Sequence, residues 1–171
     1  SGVTFNWWPY ITDFRSAYGG EVEARSSRDI AKLKYLYMDC RRLAKTQGLT
    51  IRPTTKLWNA ELGSKAMLFA KSKGRLWQFL IPTLEAFWRR EFDLESLETI
   101  DGAIEKAGMD VMKWHAYLET NGHEDLDKAL KLADSSGVFG APTFVYQDEL
   151  FWGTDRIDLL DKQIRIHVLG R

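Results

Sequence analysis

Cysteine is almost absent from this chain: Cys40 is the single one in 171 residues, so no internal disulfide can form. The same scarcity excludes a Cys-x-x-Cys redox pair or a multi-cysteine zinc site within these residues. No sign of charge dominates, since 24 Lys and Arg balance 24 Asp and Glu. That balance removes the electrostatic draw toward nucleic acid or an acidic membrane. No apolar run approaches the roughly 20 residues that span a bilayer, and the first residues show no basic segment followed by an apolar one. No nucleic-acid or membrane partner is expected, and a lone thiol suits the reducing cytoplasm. The three histidines, His115, His123 and His167, lack the spacing of a metal-binding helix.

What is present is concentrated in Gly137 to Arg156. Gly137 and Gly140 allow backbone angles that other residues resist, and Pro142 opens an extended run where it need not donate a ladder bond. Thr143–Tyr146 and Glu149–Trp152 are aromatic and β-branched runs separated by two residues, Gln147 and Asp148, which is hairpin spacing. Beyond Gly153, the positions Ile157, Leu160, Ile164 and Val168 recur at helical spacing, with Thr154 or Asp155 placed to cap that helix.

Upstream, Val3–Tyr10 alternates and then turns aromatic through Trp7 and Trp8 before Pro9, which predicts a strand. Residues 11–27 have no clean period and predict an exposed connection. From Arg28 to Gln47, Leu33, Leu36, Tyr37, Cys40, Leu43 and Ala44 recur every three or four positions, so an amphipathic helix is expected with Cys40 packed on its buried stripe. Helices are also predicted over 59–72, 76–90, 94–106, 111–120 and 124–136. Gly74, Gly108 and Gly122 are the expected stops, and Asp93 and Asp110 the expected caps. Arg25, Arg28, Lys32 and Arg41 read as a solvated helix exterior, and Glu124, Asp125 and Asp127 as an acidic first turn.

The Val-Phe-Gly-Ala-Pro segment at 138–142 and the Phe-Trp-Gly-x-Asp-Arg segment at 151–156 resemble the C-terminal part of the DsbA-like thioredoxin-fold family. That group includes kappa-class glutathione transferases and 2-hydroxychromene-2-carboxylate isomerases. Weaker similarity lies in Lys34-Tyr35-Leu36-Tyr37-Met38-Asp39 and in Glu105-Lys106-Ala107-Gly108-Met109. The resemblance implies an α/β thioredoxin-like fold with a helical insertion. Residues 1–27 and 123–171 would form the thioredoxin-like part and 28–122 the insertion. It also implies that the first β-α unit is missing from this chain. That unit carries either the Cys-x-x-Cys or a glutathione-binding serine, so no catalytic residue is expected here. A sheet deprived of its central strand would leave buried donors and acceptors unpaired, each costing on the order of 1–3 kcal/mol. Residues upstream of Ser1, or a strand of another chain, are expected to fill the place.

Carried over residue by residue, the resemblance makes glutathione the cofactor. Ala141 beside Pro142, a cis-proline in the family, would offer main-chain bonds to the cysteinyl part, and Thr154 and Asp155 would meet the γ-glutamyl end. Trp8, Tyr10 and Lys34 become candidates for the substrate. Two departures stand out: Tyr18-Gly19-Gly20-Glu21-Val22 replaces a Gly-Asn-x-Pro-Pro segment, and Trp8 stands where many relatives carry arginine. The implied activity is a glutathione-dependent isomerase or transferase acting on a small molecule, with a homodimer as the expected assembly. The alternatives are a thiol-disulfide oxidoreductase acting on thiol peptides, with its Cys-x-x-Cys upstream, and a non-catalytic thioredoxin-fold binding protein.

Overall fold

A computed structural model of the protein describes residues 3–12 and 25–170. The predicted connection over 11–27, and with it the Tyr18–Val22 departure, lies largely outside these residues. The chain divides into two compact units, Ser1–Thr12 with Asp127–Arg171 and Asp13–Leu126.

The second unit is helical. It contains α1 (Ser27–Thr46), α2 (Glu61–Ser72), α3 (Leu76–Trp88), α4 (Leu97–Lys106), α5 (Val111–Thr120) and the start of α6 (Gly122–Ser135). Its core is the apolar stripe of α2 (Ala66, Phe69 and Ala70) set against Phe79, Ile100, Ile104 and Trp114. Phe69 meets Trp114 and Tyr117 at ring-centroid distances of 5.6 and 5.4 Å. Trp114 is fully buried, and its indole Nε1 donates to Asp101 Oδ1 at 3.0 Å, the partner that a buried indole requires. The other oxygen of Asp101 lies 2.8 Å from His115 Nε2, so one carboxylate ties α4 to α5.

Side-chain caps start α1, α4 and α5. Ser26 and Asp29 form a capping box on α1, and Asp110 accepts from the amides of Met112 and Lys113 at the start of α5. At α4 the cap is Ser96, not Asp93; Asp93 instead accepts from the Glu95 amide one turn earlier. Gly122 is not a stop. It is the first residue of α6, buried where an added Cβ would meet the Tyr117 carbonyl oxygen at 3.2 Å, so it serves a close backbone approach.

Two expectations for α1 fail. Of its predicted stripe only Ala44 is buried, while Leu36 and Leu43 are 45% and 52% exposed, and Cys40 is exposed rather than packed. A period of 3.6 residues fixes which side chains share a face but not whether another element covers that face.

In the first unit, β1 (Thr143–Tyr146) pairs antiparallel with β2 (Glu149–Trp152), Thr143 opposite Trp152 and Tyr146 opposite Glu149. Both loop residues are left-handed, Gln147 at φ 51° and Asp148 at φ 62°, which makes this a type I′ turn without glycine. Strand alternation sends Phe144, Tyr146 and Phe151 to one face, where Phe151 packs on Leu160 and Ile164 of α7 (Ile157–Leu169). The last turns of α6 complete the unit.

Val3–Tyr10 is not a strand: no ladder forms along it among the described residues. A strand exists only through a paired neighbour, and this segment meets the hairpin through side chains instead. Val3 packs beside the Phe151 cluster, and the rings of Phe5 and Trp7 reach Phe144 at 6.1 and 6.3 Å.

Candidate functional site

The first unit contains a groove of about 570 Å³, walled by Val3–Tyr10, by α6 at Ala129, Leu132 and Ala133, and by the loop and strand from Gly140 to Tyr146. Its size falls within the range of small-molecule sites, and its walls are mainly apolar and aromatic. Ala141 and Pro142 line it and are exposed, so the predicted shelf is open to a ligand.

The hairpin register decides which way the shelf's main chain points. In an antiparallel pair, opposed residues alternate between exchanging both hydrogen bonds and exchanging none. A two-residue loop makes Tyr146 and Glu149 a bonded pair, so Phe144 with Phe151 is another. The Gly153 amide, donating to the Pro142 carbonyl at 2.9 Å, extends the series by one step. Thr143 and Val145 therefore direct their amides and carbonyls to the opposite edge of β1, and Ala141 lies in the bend just before that strand. The Ala141–Pro142 peptide is cis.

Neighbouring contacts fix the loop. The Thr143 hydroxyl donates to the Gly140 carbonyl at 2.6 Å. The indole of Trp152 lies so close to Gly140 that an added Cβ would stand 2.7 Å from its Nε1, and Phe139 packs on the same indole at 4.9 Å. Sequence reasoning missed Thr143 and Trp152 as shelf supports. Their signal lies in the register, which sets Thr143 opposite Trp152 one step from the loop.

Trp8 and Tyr10 line the same groove, Trp8 being 42% exposed. Thr154 and Asp155 do not line it. They form a short 3₁₀ turn (Thr154–Arg156) before α7, and neither caps that helix through its side chain. The Asp155 carboxylate folds back over Gly153, which sits at φ 97° where a Cβ would meet Asp155 Oδ1 at 2.5 Å. The same carboxylate accepts from Arg156 at 2.9 Å, and local pairing is the reason it is not a cap. The Gly153–Pro142 bond joins this turn to the shelf. Lys34 stands on α1 in the other unit and is not among the groove residues.

The geometry is matched by comparison with known proteins. A family model described as a DSBA-like thioredoxin domain matches residues 2–165. The chain is similar to the 2-hydroxychromene-2-carboxylate isomerase of Sphingobium xenophagum, 28% identical over 108 residues, covering 63% of this chain and 53% of that protein. It is also similar to the Pseudomonas putida protein of the same name, 29% identical over 144 residues, covering 80% and 68%. A solved structure of a 2-hydroxychromene-2-carboxylate isomerase superposes with a TM-score of 0.69 at 25% identity, covering 82% of this chain and 70% of that one. The chain thus spans about half the length of the first of these relatives.

Proposed function

The chain belongs to the DSBA-like thioredoxin-domain family, and from that membership we propose that it forms the binding part of a glutathione-dependent isomerase of the 2-hydroxychromene-2-carboxylate isomerase type. The observation that carries this reading is the exposed loop at Ala141 and Pro142, which lines an apolar groove beside the outer edge of β1, unpaired among the described residues. A tripeptide thiol pairs with such an edge as an added strand would. Pro142 has no amide of its own, and its carbonyl is taken by Gly153, so the main-chain pairing is assigned to Ala141.

The residues fit the group in charge as well as in shape. Asp155 is 72% exposed and carries a carboxylate suited to the γ-glutamyl ammonium, with the Thr154 hydroxyl beside it. Bound there, glutathione supplies a thiolate, the nucleophilic form of a thiol. Trp8 and Tyr10 present aromatic surface along the same groove to a flat, unsaturated substrate. The relatives' printed names supply the isomerase reading, and the open edge supplies the glutathione reading.

Calorimetric titration with glutathione of the complete polypeptide tests this. Asp155→Ala removes one exposed charge pair, which is worth about 1 kcal/mol, so the dissociation constant is expected to rise about fivefold. Unchanged affinity removes Asp155 from the site. Absence of glutathione binding together with dithiol turnover moves the assignment to disulfide exchange.

A further inference from the structure

The groove is lined by neutral groups in a chain otherwise well supplied with charge. Asp, Glu, Lys and Arg make up 28% of the sequence. Residues 3–10 and 135–147, which supply two of the walls, contain none of these and no histidine. On the third wall helical spacing sorts the side chains. Ala129, Leu132 and Ala133 of α6 line the groove, whereas Lys128, Lys131 and Asp134, their neighbours in sequence, do not. Among the described lining residues the polar groups are the Asn6 amide, hydroxyls such as that of Thr143, and the phenols of Tyr10 and Tyr146, all neutral donors or acceptors.

We propose that the substrate of this groove is an uncharged aromatic ketone or aldehyde, and that Trp8 sets the preference for it over a carboxylate. The inference rests on the reading of the groove as the substrate site. A ring that enters exchanges water for aliphatic and aromatic surface, which favours binding. A carboxylate that enters loses its hydration and meets no cation on these walls, which opposes binding. A neutral carbonyl oxygen needs only one donor, and the Asn6 amide is of that kind. Trp8 is the position at which the preference is set, because its indole lines the groove while 42% exposed, so the ring offers surface to a ligand. A cation introduced there would supply the missing partner for an acid.

Two probes that differ in one group test it: benzylideneacetone, a neutral conjugated ketone, and benzylidenepyruvate, in which a carboxylate replaces the terminal methyl group. Each is titrated into the 171-residue chain without glutathione and followed by NMR at the Trp8 indole and the Tyr10 amide. Benzylideneacetone is expected to bind at least about tenfold more tightly. Trp8→Arg is expected to reverse that order, and Trp8→Phe, which keeps an aromatic surface without charge, to preserve it. Equal or tighter binding of benzylidenepyruvate to the wild-type chain overturns the proposal, as does binding of neither probe. An unchanged order in Trp8→Arg removes Trp8 as the determinant. Glutathione is titrated into a separate sample. A shift at Ala141 there, with no preference between the probes, overturns the substrate class alone, whereas no shift at Ala141 overturns the reading beneath it.

Discussion

Gly140 supports the shelf twice, through its contact with the Trp152 indole and through the bond its carbonyl accepts from the Thr143 hydroxyl. Adding a single methyl group at Gly140 drives it to 2.7 Å from the indole nitrogen, so either the loop or the indole must shift. Trp152 is 53% exposed and has room to yield, which limits the cost of Gly140→Ala to about 1 kcal/mol, the low end of overpacking penalties. In a Trp152→Ala background the same substitution is expected to cost almost nothing, because the obstructing ring is gone. A denaturant-unfolding cycle of the four proteins measures this as a coupling of about 0.5–1 kcal/mol, and additive effects would refute the contact. The sequence displayed Gly140, Ala141 and Pro142 plainly. It did not display Trp152 as their support, because that role depends on strand register and not on neighbouring residues.

At the scale of elements, the hairpin was legible almost to the residue, since two aromatic runs two residues apart leave few alternatives. Its turn was not, for Gln-Asp is not a common type I′ pair. Asp148 bears a left-handed backbone at φ 62°. Relieving that conformation with glycine gains about 1–2 kcal/mol. The added freedom of the unfolded chain returns about 0.5–1. Asp148→Gly is therefore expected to stabilise the protein by about 0.5–1 kcal/mol, seen as a higher urea midpoint with an unchanged slope. A lower midpoint would mean that the Asp148 side chain makes a contact worth more than the backbone strain.

The helices were legible in position, because apolar periodicity marks them and α5 follows its aspartate cap, but their burial was not. Cys40, Leu36 and Leu43 share a face by periodicity yet remain exposed, since cover is a property of the neighbours. The Val3–Tyr10 strand failed for the same reason: alternation describes a chain ready to pair, and pairing needs a second chain segment beside it.

Across the whole molecule, family membership was readable from about twenty residues near the C-terminus, whereas the electrostatics of the helical unit became visible only in three dimensions. Burial first, and then the bond its hydroxyl donates to Asp125 at 3.1 Å, raise the Tyr117 phenol above its usual value. A raised folded value means that the native state keeps its proton when the unfolded chain has lost it. The resulting stability is whole below about pH 10 and declines as pH climbs past that value. Tyr117→Phe is expected to lower stability at neutral pH and to flatten the alkaline limb of the profile. An unchanged alkaline slope in thermal melts would assign that limb to other groups.

The account rests on the exposed shelf at Ala141 and Pro142. Its most direct test is an amide-resolved NMR titration of the 171-residue chain with glutathione, which registers even weak binding. The expected result is a saturable shift of the Ala141 amide, accompanied by Thr143 and Gly153 and not by the amides of α4 or α5. A spectrum unmoved at Ala141 by millimolar glutathione, or moved only in the helical unit, would contradict it.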